Sequence, residues 1–207
     1  MRVVKEAEER KNEILDAAEE LFISKGFDST STNDILDKVG IARGTLYYHF
    51  KSKEEILDSL IERMTETLMA QARAIAKDQG LPVLERMSNA IISLNVDSKL
   101  GVEVMQQVHK PQNALMHQKM QDSLISGIVP IMTQLAEEGI EQGIFHTDYP
   151  MEAVEMILIY SNIAFDSLAE QTEEERQRRI QGFIYHSERI LGTGDGVLQD
   201  AIMKIFC

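Results

Sequence analysis

Apolar residues return at helical spacing from one end of this chain to the other, and strand-like alternation is hard to find in it. That periodicity constrains the fold more than any other feature. Ile14, Leu15, Ala18, Leu21 and Phe22 fall at i, i+1, i+4, i+7 and i+8, on one face of a helix. Ile56, Leu57, Leu60, Ile61, Met64 and Leu68 make a second such stripe. Only 4 of the 207 residues are proline, so few positions forbid a helix. The expected class is all-α.

Punctuation places the helices. A first one starts between residues 5 and 11 and ends at "SKGF", where Gly26 can turn left-handed. Ser31 with Asp34 three residues on is a capping-box-like start for a second, which Gly40 breaks. A third covers about 42–49. Ser52 and Glu55 open a fourth that reaches about residue 77, and "KDQGLP" ends it. Further helices are expected over about 82–96, 101–109 and 112–142, the last kinked at Pro130. The segment 150–171 is apolar on most faces, which predicts burial on more than one side. Thr172 and Glu175 form a capping box for 173–191, and the tail has room for one last short helix.

Charge separates the two ends. Residues 1–53 hold 9 Lys and Arg against 10 Asp and Glu, whereas residues 54–207 hold 12 against 24. Lys38 to Lys53 contains Lys38, Arg43, Lys51 and Lys53 and no acid. A local basic window on a chain of net charge −13 points to a small anionic docking surface rather than a general one.

That window holds "ARGTLYYHF". Two short helices joined across Gly40 and braced by a first helix make a helix-turn-helix, whose second helix enters the DNA major groove. Leu46 and Phe50 are the inward anchors, which leaves Arg43, Thr45, Tyr47, Tyr48 and His49 for other faces. Arg43 can pair bidentately with guanine, and a tyrosine offers a flat apolar ring and a hydroxyl. Tyr47 alone could instead be a packing residue. Gly44 inside a helix costs about 1 kcal/mol relative to alanine, which close backbone approach to DNA would justify. Ser31 and Thr32 lie at a helix N-terminus suited to a phosphate, and Lys53 can grip another.

Residues 12–60 resemble the DNA-binding domain of TetR-family transcriptional regulators. The carrying pieces are "ILDAAEELFISKGFDSTSTNDI", "VGIARGTLYYHF" and "KSKEEIL". The resemblance implies a homodimer with N-terminal three-helix helix-turn-helix heads and a larger C-terminal helical domain for ligand binding and dimerisation. It places base and phosphate contacts at Arg43, Gly44, Tyr47, Tyr48 and His49 and at Ser31, Thr32 and Lys53. Ala42 stands where the family often has Ser or Thr, a lost cap of about 1 kcal/mol. The expected domains are 1–53, continuing into a linking helix 53–77, and 78–207. The implied partners are an operator duplex, a second copy and an unidentified small-molecule effector.

Beyond residue 60 the resemblance is architectural only. The helices over 150–171 and 173–191 are the expected dimer elements, with Ile157, Ser161, Phe165, Ile180, Phe183 and Ile184 as interface residues. An effector pocket between the middle helices would draw on methionines, which adapt to varied apolar shapes; Met64, Met105, Met120 and Met156 are the candidates. His109 and His117 flank Pro111, a weak metal pair, and no metal or cofactor is expected. No phosphate loop, H-E-x-x-H or G-x-S-x-G motif marks an enzyme. The one cysteine is Cys207, and no apolar run approaches the ~20 residues that span a bilayer. A cytoplasmic, membrane-free regulator is the expectation.

Overall fold

Ser31, Ser52 and Thr172 cap helix starts with their side chains, and Gly26, Gly40 and Gly192 close helix ends. The computed structural model describes residues 7–94, 111–165 and 172–206. The expectations at residues 101–109, Met105 and His109 among them, and the residue Cys207 lie outside the described residues. The helices are α1 (Ala7–Lys25), α2 (Thr32–Val39), α3 (Arg43–His49), α4 (Lys53–Ala76) and α5 (Val83–Ile92). A 3-10 turn at Pro111–Asn113 leads into α6 (Ala114–Glu141), then α7 (Pro150–Ala164), α8 (Glu173–Leu191) and α9 (Gln199–Phe206). No strand occurs among the described residues, so the fold is all-α. The α6 helix continues through Pro130. Among the described residues no helix is long and apolar enough to cross a membrane.

The chain forms two compact units. One draws on Met1–Glu66 and Val96–Ser123, the other on Thr67–Asn95 and Leu124–Cys207. The sequence reading has 1–53, a linking helix 53–77 and 78–207, and the packing divides α4 and α6 within their length.

In the first unit, Ile14, Ala18 and Phe22 of α1, Ile35 of α2, Leu46 of α3 and Ile56, Leu57 and Leu60 of α4 are all buried. These are the stripes the periodicity marked, so the apolar face of each helix is the one that packs. Arg63 of α4 braces α1 through Asp16 at 2.7 Å and Glu19 at 3.0 Å.

The second unit packs Met69, Val83, Met87, Ile128, Leu135, Phe145, Val154, Leu158, Ile180, Phe183, Ile184 and Ile202 into one core. Inside it lies a charge. Arg86 is 2% exposed. Its guanidinium donates to Glu138 through Nη1 at 2.9 Å and through Nη2, to the Ala76 carbonyl at 2.9 Å and to the Leu81 carbonyl at 3.1 Å. One side chain thus ties the end of α4, the following turn and α6. At the far end of α8, Gly192 has φ +66, and a Cβ there would come within 2.1 Å of the His146 carbonyl oxygen. No other residue fits that turn.

Arg86→Ala takes the donor from the Ala76 and Leu81 carbonyls and from the Glu138 carboxylate, which is itself 25% exposed, and leaving a buried polar group without its partner costs about 1–3 kcal/mol; chemical denaturation will read the loss. The Glu138 carboxyl is held below the usual carboxylate range, first by its hydrogen bond to Arg86. A depressed folded-state pKa adds stability that is complete above the unfolded value of 4.5 and lost as pH falls through the folded value. Thermal melts below pH 5 will therefore fall less steeply for Glu138→Gln than for the natural chain.

Candidate nucleic-acid interface

The α2–α3 corner is built from local chemistry. Ser31 caps α2: its Oγ accepts the Asp34 N–H at 3.2 Å, and the Ser31 N–H donates to Asp34 Oδ2 at 2.8 Å. Lys25 adds a 2.8 Å ion pair. Lys25 first and Ser31 second hold the Asp34 carboxyl far below its ordinary value. Gly40 closes α2 at φ 72, its N–H donating to the Leu36 carbonyl at 2.8 Å. Ala42 is extended and makes no side-chain cap to α3.

Within α3 only Leu46 is buried, at 1% exposure, and Phe50 follows at 2%. With these two facing the core, Arg43, Gly44, Tyr47 and Tyr48 share the opposite side at helical spacing. Tyr47 is 43% and Tyr48 79% exposed, so the packing alternative for Tyr47 does not hold. The Arg43 guanidinium lies 5.8 Å from the Tyr47 ring centre, and His49 meets Tyr48 edge-on at 5.0 Å. Thr45 and His49 are half-buried at the margins. A Cβ on Gly44 would have no heavy atom within 4 Å. Nothing in the chain's own packing calls for glycine there.

Two expected phosphate contacts look different in place. The Lys53 ammonium donates to the carbonyls of Phe27 at 2.7 Å and Thr30 at 2.9 Å and sits 4.2 Å from the Phe27 ring centre. It is a half-buried internal tie, because two carbonyls at the α1–α2 turn lie within its reach. The Ser31 hydroxyl also donates to Asp34 Oδ2 at 2.6 Å and is committed to its own helix. Thr32, half-exposed, is the first residue of that helix.

Three of the six expected dimer residues lie in the chain's own core, and three are half-buried. Ile180, Phe183 and Ile184 are buried within the single chain at 1%, 7% and 3%. Ile157 and Phe165 pack against the same core, and the Ser161 hydroxyl donates to the Leu158 carbonyl at 2.9 Å. The bare apolar face of α7 lies on the other side: Met156, Ile159, Tyr160 and Ile163 are exposed, Ile163 at 71%. These residues and Glu155 form an open groove with Glu175, Arg178, Arg179, Gly182 and His186 of α8. The all-round apolarity expected over 150–171 was the signal; period alone does not say which of two apolar faces the chain covers itself. Gly182 repeats the pattern of Gly44, since a Cβ there would also meet nothing. Of the pocket methionines, Met156 is 60% exposed in this groove rather than inside, Met120 is buried at 6% and Met64 is half-buried, both in the first unit.

Residues 14–60 match the family model for bacterial regulatory proteins, tetR family. Residues 97–183 match that for a tetracyclin repressor-like C-terminal domain. The transcriptional repressor KstR2 of Mycobacterium tuberculosis (strain ATCC 25618 / H37Rv) is 36% identical over 92 residues, which are 44% of this chain and 46% of that protein. In that match the chain spans about half the relative's length. The transcriptional regulator UidR of Escherichia coli (strain K12) is 30% identical over 139 residues, covering 65% of this chain and 70% of UidR. Among solved structures, RolR in complex with resorcinol superposes with a TM-score of 0.61 at 16% identity, covering 96% of this chain and 94% of RolR. GusR of Salmonella enterica gives a TM-score of 0.58 at 20% identity, covering 96% of this chain and 100% of GusR.

Gly44→Ala adds a methyl group in open space and removes a glycine from the first turn of α3. It will raise stability by about 0.5–1 kcal/mol, measured by urea unfolding.

Proposed function

Since the chain belongs to the TetR family of bacterial transcriptional regulators, we propose that it acts as a cytoplasmic homodimer that represses transcription by holding a near-palindromic operator and lets go when a small-molecule effector binds. The observation that carries this reading is the outward side of α3. Arg43, Gly44, Tyr47 and Tyr48 form a surface that the chain's own core does not use, inside the acid-free basic window 38–53.

Each residue has a task there. Arg43, at the first turn of α3, reaches the edge of guanine with two parallel N–H donors. Gly44 lets the α3 backbone come close. The Tyr47 and Tyr48 rings cover thymine methyls or sugars, and their hydroxyls reach phosphates. Thr45 and His49 flank this face, and Thr32 with the α2 N-terminus meets the backbone alongside. The strong acidity of residues 54–207 repels the duplex elsewhere and confines it to this window.

Dimerisation supplies the second head. The α7–α8 groove carries apolar residues and both signs of charge, Glu155 and Glu175 with Arg178 and Arg179. A two-fold axis can therefore pair it with itself, and Gly182 lets the partner's helix approach. Two heads then meet successive major grooves at about 34–36 Å spacing. An effector that binds the C-terminal part of one dimer state better than the other shifts the population away from that spacing. RolR, which shares the fold, is solved with resorcinol bound, a small aromatic ligand of the kind such a domain holds.

Fluorescence anisotropy with a duplex selected by the protein from a random pool tests the DNA half. Tyr48→Ala will abolish selective binding with its melting temperature unchanged, and Gly44→Ala will weaken binding despite its greater stability. Affinities equal to the natural chain would refute the assignment of α3. Sedimentation tests the dimer half: Ile163→Asp will sediment as a folded monomer.

A further inference from the structure

The α1–α2 turn, residues 26–30, is the base on which the recognition corner stands. Gly26 leaves α1 at φ +90. The buried Thr30 hydroxyl donates back to the Gly26 carbonyl at 2.8 Å, and the Thr30 N–H to the Phe27 carbonyl at 3.2 Å. Two side chains from distant parts of the sequence grip this turn. Lys53, the first residue of α4, takes the carbonyls of Phe27 and Thr30. Asn113, in the turn just ahead of α6, accepts the Phe27 N–H on its Oδ1 at 3.2 Å.

Asn113 has no exposed surface. Gln112 lies against Gly26, where a Cβ would meet its Cγ at 3.0 Å. Further along, Lys119 pairs with Asp58 and the Ser123 and Thr65 hydroxyls lie 3.0 Å apart. The opening of α6 is thus bonded into the DNA-binding unit at several points. Both α4 and α6 carry the chain from one unit into the other. Both end their head-side course on the same five-residue turn.

We infer that Asn113 is a positioning residue for operator recognition: through the Phe27 N–H it fixes the α1–α2 turn to α6, so that the recognition helix takes its orientation from α6 as well as from α4. The inference rests on the operator reading above. A buried amide has no solvent to replace a lost partner, so releasing Asn113 frees the turn to shift. Contacts of the head with phosphates survive such a shift, whereas base contacts, which need side chains placed to within a fraction of an ångström, do not.

The test compares the full-length natural protein, Asn113→Ala and Val129→Ala. Val129 is a buried α6 residue of the other unit and controls for lost stability. Hydrogen exchange at the Phe27 amide and affinities for the selected duplex and for a scrambled duplex are measured on each. Asn113→Ala is expected to speed Phe27 exchange at least tenfold and to weaken the selected duplex at least tenfold, with the scrambled duplex within twofold. Val129→Ala is expected to change neither. Should Asn113→Ala not fold, Asn113→Ser, too short to reach the Phe27 nitrogen, takes its place with the same expectations. Unchanged Phe27 exchange, unchanged selectivity, or an equal loss in Val129→Ala overturns the inference. A natural protein that prefers no duplex over the scrambled one overturns the operator reading instead.

Discussion

Seven residues are too few to make a helix in water. The proposed recognition surface therefore depends on what holds α3 from behind, and that is the burial of Leu46 and Phe50. No N-cap side chain helps, since Ala42 offers none. The helix is held by its inward side and by the Gly40 turn, while its outward side is left free to carry residues chosen for something other than folding. The rest of the first unit follows from this need. The long α1, the Arg63 brace to Asp16 and Glu19, and the grip of Lys53 and Asn113 on the α1–α2 turn all stiffen the platform under one short helix.

Local signals carried well from sequence to structure. The Ser31–Asp34 and Thr172–Glu175 pairs both form reciprocal capping boxes, and Gly40 and Gly192 both close helices in the left-handed conformation. These depend on neighbours within four residues, so the chain order states them directly. The outward placing of Tyr48 was equally legible, because Leu46 and Phe50 left it nowhere else to point.

What the sequence hid is long-range. Lys53 looks like a basic residue free to meet a phosphate, but its acceptors are carbonyls 23 and 26 positions away, and carbonyls leave no trace in composition. Arg86 reads as one charge on an apolar helix until the fold brings Glu138 and two carbonyl oxygens to it. The open side of α7 was hidden for a different reason. When a helix is apolar on two sides, its period fixes the angle between them and not which one the chain covers. Ile180, Phe183 and Ile184 proved to be the covered side of α8, and Met156, Ile159 and Ile163 the open side of α7.

The two helical glycines with empty space around them, Gly44 and Gly182, bear on how such a chain responds to selection. Helix propensity disfavours both, and no internal contact defends either. A laboratory search for hardier variants, scored by resistance to heat or protease alone, would converge early on alanine at these positions, because each substitution is sterically free. The survivors would be folded and long-lived, with the proposed DNA and dimer surfaces filled in. In this chain, two gaps in local stability mark where its outside begins to matter.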